Sequence, residues 1–385
     1  MNIIILNTNS FGGNYEYSRC LAAAYNAHPS VEKCTVLIPV NAAQEENDIY
    51  IKILISDLLS LKNKFCKKIY FLYRSLINPF RVLSFLKKQP ASIVIFNDYE
   101  QITSFIWVPF FKSLKKKHTF LVILHDPDRD AYLPVRKLSE VSMENVVSLM
   151  DAALYHELLP DKIYYKKDIP KVNVPHGVYS HTAFDSQLMK RLMHLKGDKK
   201  IMSVIGNIRE EKNYSLLIQS LTELPDMILL IAGNPSNSSV STTFYKEQSE
   251  KHQVQERVIW IEKRLTDDEM QSIIQASDLI LLYYKHSFRS QSGLLNLIAP
   301  HKKKLIVSDG PSALTKIVQY YTLGNVVPLD IASFVGAINN IFFSDMQNEQ
   351  ILSWNRYLEY ASWNNHVRIV IELVGKLKTY TSSDL

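Results

Sequence analysis

Short β-branched and aliphatic runs alternate with longer amphipathic stretches along nearly the whole chain. Six runs occupy 2–7, 34–39, 92–96, 119–124, 152–155 and 172–175, and six more occupy 201–205, 227–232, 257–261, 278–283, 304–308 and 325–328. Uninterrupted apolar strands separated by helical segments predict parallel sheets covered on both faces, built from βαβ units. Two sets in tandem predict two doubly wound α/β domains. The break falls in 180–200, which is polar and lysine-rich, so the expected domains are 1–185 and 186–360. Residues 361–385 carry a last helix with Val367, Val370, Ile371, Val374 and Leu377 at helical spacing. An Asn/Ser/Thr stretch at 234–243 predicts a surface loop.

The 385 residues include only 11 glycines, under half the usual frequency of about 7%, so each has a local reason. Gly12 and Gly13 follow the first run, Gly177 closes Val-Pro-His-Gly-Val, and Gly206, Gly233 and Gly310 follow runs of the second set. Gly293 sits in a turn after 278–284. In doubly wound sheets such strand ends line the ligand crevice, where a glycine lets backbone amides approach a phosphate. The pattern favours a nucleotide-type ligand.

Composition adds three constraints. Apolar residues are 46% and charged residues 21%, which excludes a disordered or fibrous chain. Cys20, Cys34 and Cys66 are far apart and form no CxxC, which argues against a disulfide framework or zinc knuckle and fits a reducing, cytoplasmic compartment. The start, MNIIILNTNSFGG, has no basic lead and reads as a buried strand, and no apolar run reaches 18 residues. The net charge of +6 is uneven: residues 50–120 hold thirteen Lys or Arg against three Asp or Glu. There Lys62, Lys64, Lys67, Lys68, Lys87 and Lys88 interleave with Phe65, Phe71, Tyr73 and Phe85, and Lys112, Lys115, Lys116 and Lys117 follow Phe110 and Phe111. Lysines among aromatics suit an anionic membrane surface through 62–88 and 112–117, peripheral on the inner face of the plasma membrane. The competing description is an amphipathic helix pair whose aromatics belong to the core. No nucleic-acid module is present.

No Walker loop, G-x-S-x-G, H-E-x-x-H or G-x-G-x-x-G occurs, so kinase, hydrolase, zinc-protease and dinucleotide readings lack support. Two constellations stand out. In the first, a strand ends at Gly206, and Arg209 and Lys212 precede a helix. A guanidinium and an ammonium three residues apart can neutralise a diphosphate whose charge grows as it leaves. The plainer alternative is a solvated turn in which Glu210 and Glu211 pair with both cations. The second is Tyr284, then Ser290, Gln291, Ser292 and Gly293, then an apolar helix, with Asp309 and Gly310 after the next strand. Small hydroxyls and glycine at a helix start form an anion nest, or simply an N-cap through Ser290 or Ser292.

The order of these pieces resembles the GT-B glycosyltransferases, specifically the large family 4 that uses nucleotide sugars. The resemblance rests on Gly12–Gly13, His125–Asp126, Pro175 to Gly177, G-x-x-R-x-x-K at Gly206, Arg209 and Lys212, and a strand ending in Gly233. Ala276 to Asp278, the Tyr284…Gln291 to Gly293 turn, and Ala361-Ser362-Trp363 before the last helix complete it. It implies two Rossmann-like domains facing across a cleft, with the last helix crossing back to the N-domain. It further implies a hexosyltransferase-type enzyme that needs no metal or cofactor, uses a UDP- or GDP-sugar and retains the anomeric configuration. The acceptor is a glycan or lipid-linked sugar, in cell-surface polysaccharide or glycoconjugate synthesis. By resemblance His125, Asp126, Arg209 and Lys212 are catalytic. The donor contacts are Gly12, Gly13, Gly206, Arg209, Lys212, Gly233, Ser290, Gln291, Ser292, Gly293 and Asn296. The chain departs from the family's Glu-x7-Glu pair, carrying Phe288 and Asn296 at those places. Asn296 can still hydrogen-bond a ribose, without the charge-assisted contribution.

Other readings stay open on these residues. Asp126-Pro-Asp128 is a candidate DxD metal grip, although the proline stiffens its middle. His176 is expected to line the cleft, and Glu262-Lys263-Arg264 to form a surface charge cluster. The missing carboxylates motivate a non-catalytic sugar-nucleotide or glycan binder, and the two-sheet layout also fits a sugar-nucleotide epimerase.

Overall fold

The computed structural model describes every residue except 45, 58–62, 131, 236–241, 344–347 and 384–385. Lys62 and most of the expected 234–243 loop therefore lie outside the described residues. Contacts divide the chain into two units, Met1–Gly177 with Ser362–Leu385, and Val178–Ala361.

The first unit holds seven strands: β1 (Asn2–Leu6), β2 (Lys33–Pro39), β3 (Tyr50–Leu54), β4 (Ser92–Phe96), β5 (Thr119–Leu124), β6 (Ala152–Tyr155) and β7 (Lys171–Asn173). All pair in parallel, in the order β3-β2-β1-β4-β5-β6-β7. Six strands were expected, and β3 is the addition. Its sequence, YIKIL, is only partly buried until Leu54 and pairs with β2 alone, so an edge strand carrying Lys52 escapes a search for solid apolar runs. The expected run at 172–175 contributes only β7, because the chain leaves the sheet before Pro175, which has no amide hydrogen to donate.

Side chains alternate across the sheet, as the period of two demands. Ile4, Leu6, Val94, Phe96 and Val122 face one layer, formed by α2 (Lys64–Lys88), α3 (Ser104–Lys112) and α4 (Arg136–Leu149). Ile3, Ile5, Ile93, Ile95 and Ile123 face the other, formed by α1 (Gly13–Asn26) and the C-terminal helix from Trp363 to Ser383. That C-terminal helix inserts Val367, Val370 and Val374 into the same cluster as Tyr17, Leu21 and Tyr25 of α1.

The second unit begins with α5 (Ser186–Lys196), capped by Asp185, whose carboxylate accepts from the amides of Gln187 and Leu188. Its six strands are β8 (Lys200–Ile205), β9 (Met227–Ala232), β10 (Val258–Ile261), β11 (Leu279–Leu282), β12 (Lys304–Ser308) and β13 (Asn325–Val327). They are parallel in the order β10-β9-β8-β11-β12-β13. One face is covered by α5, α8 (Asp267–Ala276), α9 (Gly293–Ile298), α10 (Ala313–Tyr321) and α12 (Asn348–Tyr360). The other is covered by α6 (Tyr214–Ser220), α7 (Thr242–Lys251) and α11 (Ile331–Phe343).

Both sheets run outward from their first strand in both directions, so each has a topological switch point: β1/β4 in the first unit and β8/β11 in the second. In doubly wound sheets the ligand crevice lies beyond the carboxyl ends of the strands at that point. In the second unit the switch is open. β8 pairs with β9 over six residues but with β11 only at Met202↔Leu279 and Ile280↔Ser203, so the two strands part before their carboxyl ends. Asp278 anchors the other end, accepting from the Ile201 amide at 2.8 Å and the Lys196 ammonium at 2.8 Å. The Ala-Ser-Asp motif is thus a clamp at the amino ends of the strands, away from the crevice.

Candidate functional site

In the second unit, β8 ends on Gly206, with φ 86°. The Gly233 backbone lies so close that a β-carbon there would fall 2.2 Å from the Gly206 carbonyl oxygen. Both glycines are therefore dictated by geometry. The chain then turns through Arg209 to Lys212, which is 6% exposed and donates to the carbonyls of Ile205 at 2.6 Å and Gly206 at 2.9 Å. Burial, with Arg209 nearby, depresses the Lys212 pKa to about 7.

Arg209 itself is exposed and forms no ion pair with a described carboxylate. The solvated-turn alternative is not met for Glu210, which bonds Lys285 at 2.8 Å, whereas the Glu211 carboxylate acts on Lys212 only through space. Two cations thus stand at the switch point without carboxylate partners among the described residues.

The Ser-Gly turn lies beyond β11. Ser292 occupies the N-cap position of α9, yet its hydroxyl caps no amide and instead meets the Tyr284 hydroxyl at 3.2 Å. The simple N-cap reading is therefore corrected for Ser292. Gly293 opens the helix with nothing within 4 Å of where its β-carbon would be. Ser290 and Gln291 precede it, and Gln291 donates to the Tyr357 hydroxyl at 3.4 Å. Asn296 is fully buried; its Oδ1 accepts from Tyr357, and its Nδ2 has no partner among the described residues. Phe288 stacks on Tyr284 with ring centroids 4.2 Å apart. The places where the family resemblance implies glutamates are thus an aromatic stack and a buried amide–phenol bond.

Several neighbours were not singled out from sequence. His286 approaches Asp309 at 2.8 Å across the ends of β11 and β12. Tyr357 comes from α12, far along the chain, and no local motif marks it. The expected charge cluster at 262–264 is partly paired, Glu262 with Lys246 at 2.6 Å and Lys263 with Glu269.

In the first unit the β1 and β4 ends carry a polar group of their own. Gly12 takes φ 88°, which glycine alone adopts freely, and Gly13 starts α1 with open space around it. Asp98 accepts from Thr8 and Asn9, each at 2.5 Å. His125, just past β5, bonds the Asn97 side-chain oxygen through Nε2 at 2.8 Å. Asn97 spends its amide hydrogens on Asn14 and Ser18, so its oxygen is the acceptor and His125 carries its hydrogen on Nε2. Burial and neighbouring histidines hold His125 well below the usual imidazole pKa, so it is neutral at pH 7. Asp126 is exposed beside it, whereas Asp128 is engaged by Lys162 at 3.0 Å.

His125 belongs to a ring cluster around Tyr17 that also holds His156, His176, His366 and Trp363. His176 therefore packs on Tyr17, and a β-carbon on Gly177 would fall 2.1 Å from the Trp363 ring. Sequence reasoning found the histidines singly; their grouping depends on three strand ends and a helix distant in sequence.

Comparison with known proteins now bears on this geometry. Residues 187–286, which include Gly206, Arg209, Lys212 and Gly233, match the family Glycosyl transferases group 1. The match lies within the second unit, and the two parallel α/β sheets have the GT-B arrangement. The chain is 22% identical over 210 residues to the D-inositol 3-phosphate glycosyltransferase of Mycobacterium marinum (strain ATCC BAA-535 / M), a match spanning 52% of the chain and 44% of that relative. Its fold is similar to sucrose-phosphate synthase from Thermosynechococcus elongatus, with TM-score 0.69 and 14% identity over 98% and 99% of the two chains. It is also similar to the E. coli trehalose-6-phosphate structure bound with UDP-2-fluoro glucose, with TM-score 0.65 and 12% identity over 98% and 99%. Anabaena HepE in complex with UDP gives TM-score 0.67 and 10% identity over 98% and 100%. At these identities the structural likeness concerns the fold alone, and the expected pair of Rossmann-like α/β sheets agrees with it.

Proposed function

We propose that the chain transfers a sugar from a UDP- or GDP-sugar to a hydroxyl of a glycan or lipid-linked acceptor, in the synthesis of a cell-surface polysaccharide or glycoconjugate. The observation that carries this reading is the pair of cations at the β8/β11 switch point, Lys212 held by two carbonyls and Arg209 without a carboxylate partner among the described residues. The bond from the anomeric carbon to the diphosphate oxygen breaks, and its electron pair stays on the diphosphate. Arg209 and Lys212 offset that growing charge, and Gly293, with nothing within 4 Å of where its β-carbon would be, leaves the Ser290 to Gly293 backbone room to approach the phosphates and sugar. The acceptor oxygen bonds the anomeric carbon on the face the diphosphate leaves, and its proton passes to a leaving phosphate oxygen. Retention then needs no protein nucleophile. Asn296 is assigned to the ribose. In the first unit, Gly12, Gly13, His125 and Asp126 are assigned to the acceptor and to the reacting end of the donor, His125 acting as a neutral hydrogen-bonding group.

Purified protein incubated with a panel of UDP- and GDP-sugars, read by mass spectrometry and NMR, tests the proposal. Donor consumption with release of nucleoside diphosphate, unaffected by EDTA and giving product of unchanged anomeric configuration, is expected. A second reading, a non-catalytic sugar-nucleotide binder, is favoured by the Phe288–Tyr284 stack and the Asn296–Tyr357 bond where carboxylates were expected. It predicts binding with an intact donor. An epimerised nucleotide sugar formed without acceptor would replace both.

A further inference from the structure

The basic, aromatic stretch of the first unit is not absorbed by the reading above, and the structure divides it in two. From Ser75 onward α2 is clamped to the sheet: Val82, Leu83 and Leu86 are core, and the Asn78 side chain accepts from the Ile55 amide at 2.8 Å. Before Ser75 the same helix carries large apolar side chains that are exposed. Phe65 is 67% exposed, Ile69 52%, Leu72 47% and Tyr73 50%. Phe65, Ile69 and Leu72 follow the i, i+4, i+7 spacing of a single helix face. On α3, Trp107 and Phe111 are buried while Phe105, Ile106 and Phe110 point outward, and Phe110 meets Phe80 of α2 with centroids 5.3 Å apart. The outward apolar surface of α3 thus extends onto α2 at Phe80.

The sequences of α2 and α3 contain no Asp or Glu at all, against eight Lys or Arg. Lys67, Lys68, Lys87, Lys88 and Lys112 are exposed, and Lys116 lies just beyond α3. A core-facing helix does not need so many exposed aromatics, and a solvated basic helix does not need Phe65 or Phe110 outward. An apolar face flanked by cations of one sign matches an anionic bilayer, with side chains entering the acyl boundary while ammonium groups stay at the headgroups. No described helix is long and apolar enough to cross a membrane, so the contact is an interfacial one.

We propose that the outer face of α2 and α3, led by Phe65, Ile69, Leu72 and Phe110 and framed by Lys67 and Lys68, docks the protein on an anionic lipid surface. The proposal holds whether or not the chain transfers sugar.

Sedimentation of the full chain with phosphatidylcholine vesicles, with and without phosphatidylglycerol, tests it. Binding is expected on the anionic vesicles only, weakening as salt rises. Lys67→Gln and Lys68→Gln should each lower the partition roughly fivefold, and the triple change Phe65→Ser, Ile69→Ser, Leu72→Ser should abolish it. Thermal unfolding at the wild-type temperature shows that these exposed changes spare the fold. Equal partition on neutral and anionic vesicles, or wild-type partition in both sets of variants, overturns the proposal. So does a vesicle-free dimer dissolved by the apolar variant, which makes a second copy the occupant. Oligonucleotide binding lost with the lysines but indifferent to the apolar change overturns it too.

Discussion

The Lys212 ammonium donates to the Ile205 carbonyl at 2.6 Å, so the cation of the G-x-x-R-x-x-K segment is tied to the last residue of β8. Its position follows the strand rather than a flexible stem. A lysine so placed meets a phosphate without losing rotamer freedom on binding, which is how preorganised charge stabilises a leaving group. Replacing Arg209 or Lys212 by alanine should each lower transfer at least about tenfold, roughly 1.4 kcal/mol of barrier. Initial rates on the donor found active in the panel check this, and wild-type turnover in both variants would remove those roles.

On the proposed assignment, Lys212 makes donor affinity depend on pH. Burial brings its pKa to about 7, so in the free protein the amine is losing its proton through neutral pH. A diphosphate favours the charged form, and binding above pH 7 must therefore take up a proton. UDP affinity should fall by up to about tenfold per pH unit above 7, while Lys212→Arg, charged throughout, should give a flatter profile. Calorimetry in buffers of different ionisation enthalpy reads the proton uptake directly. The same depression sets a stability sign. Below pH 7 both folded and unfolded states are protonated and the full cost of the buried charge applies. That cost is relieved as pH rises from 7 toward the unfolded value of about 10.4.

The histidine cluster of the first unit predicts an acid weakness. Burial lowers His156 to about 4 and His366 to about 3, and both side chains are buried with an Nε2 that has no partner. Above the unfolded value of about 6.5 neither state is charged and there is no effect. As pH falls below it, only the unfolded chain takes up protons, so stability drops. Between pH 6.5 and 5 each histidine should cost about 2 kcal/mol. Urea unfolding at both pH values should show this slope, and His156→Gln with His366→Gln should reduce it. An unchanged slope in the double variant would assign the acid sensitivity elsewhere.

Gly177 has a packing reason. With Trp363 Cε2 2.1 Å from its missing β-carbon, Gly177→Ala must displace the ring and the start of the C-terminal helix. The expected loss is about 1–3 kcal/mol by chemical denaturation. On a Trp363→Ala background the same substitution should cost far less, because the obstructing ring is gone. Equal losses on both backgrounds would show that the contact is not what makes the position glycine.

Much of the fold was legible because strand periodicity is a local property. The apolar runs gave twelve of the strands, and the glycines after β8 and β9 fell where φ and close approach require them. The edge strand β3 was missed since a half-exposed strand alternates in character and lacks a solid run. At the site, Gly206, Arg209 and Lys212 could be read together because seven residues of chain after one strand end hold them. Tyr357, His286 and the four histidines around Tyr17 could not.

The sequence by itself determined two α/β sets and the chemical types at each strand end. Tertiary structure alone decided which ends become neighbours. Strand order creates a switch point, and there β8 and β11 part, so the segment of Gly206, Arg209 and Lys212 stands at the crevice. It also decided which aromatics of α2 are core and which are outward, since the helix has one period along its length but the sheet supports only its later half. Contacts between residues far apart in sequence are fixed by pairing and packing free energy summed over the whole unit, and no local pattern carries that sum.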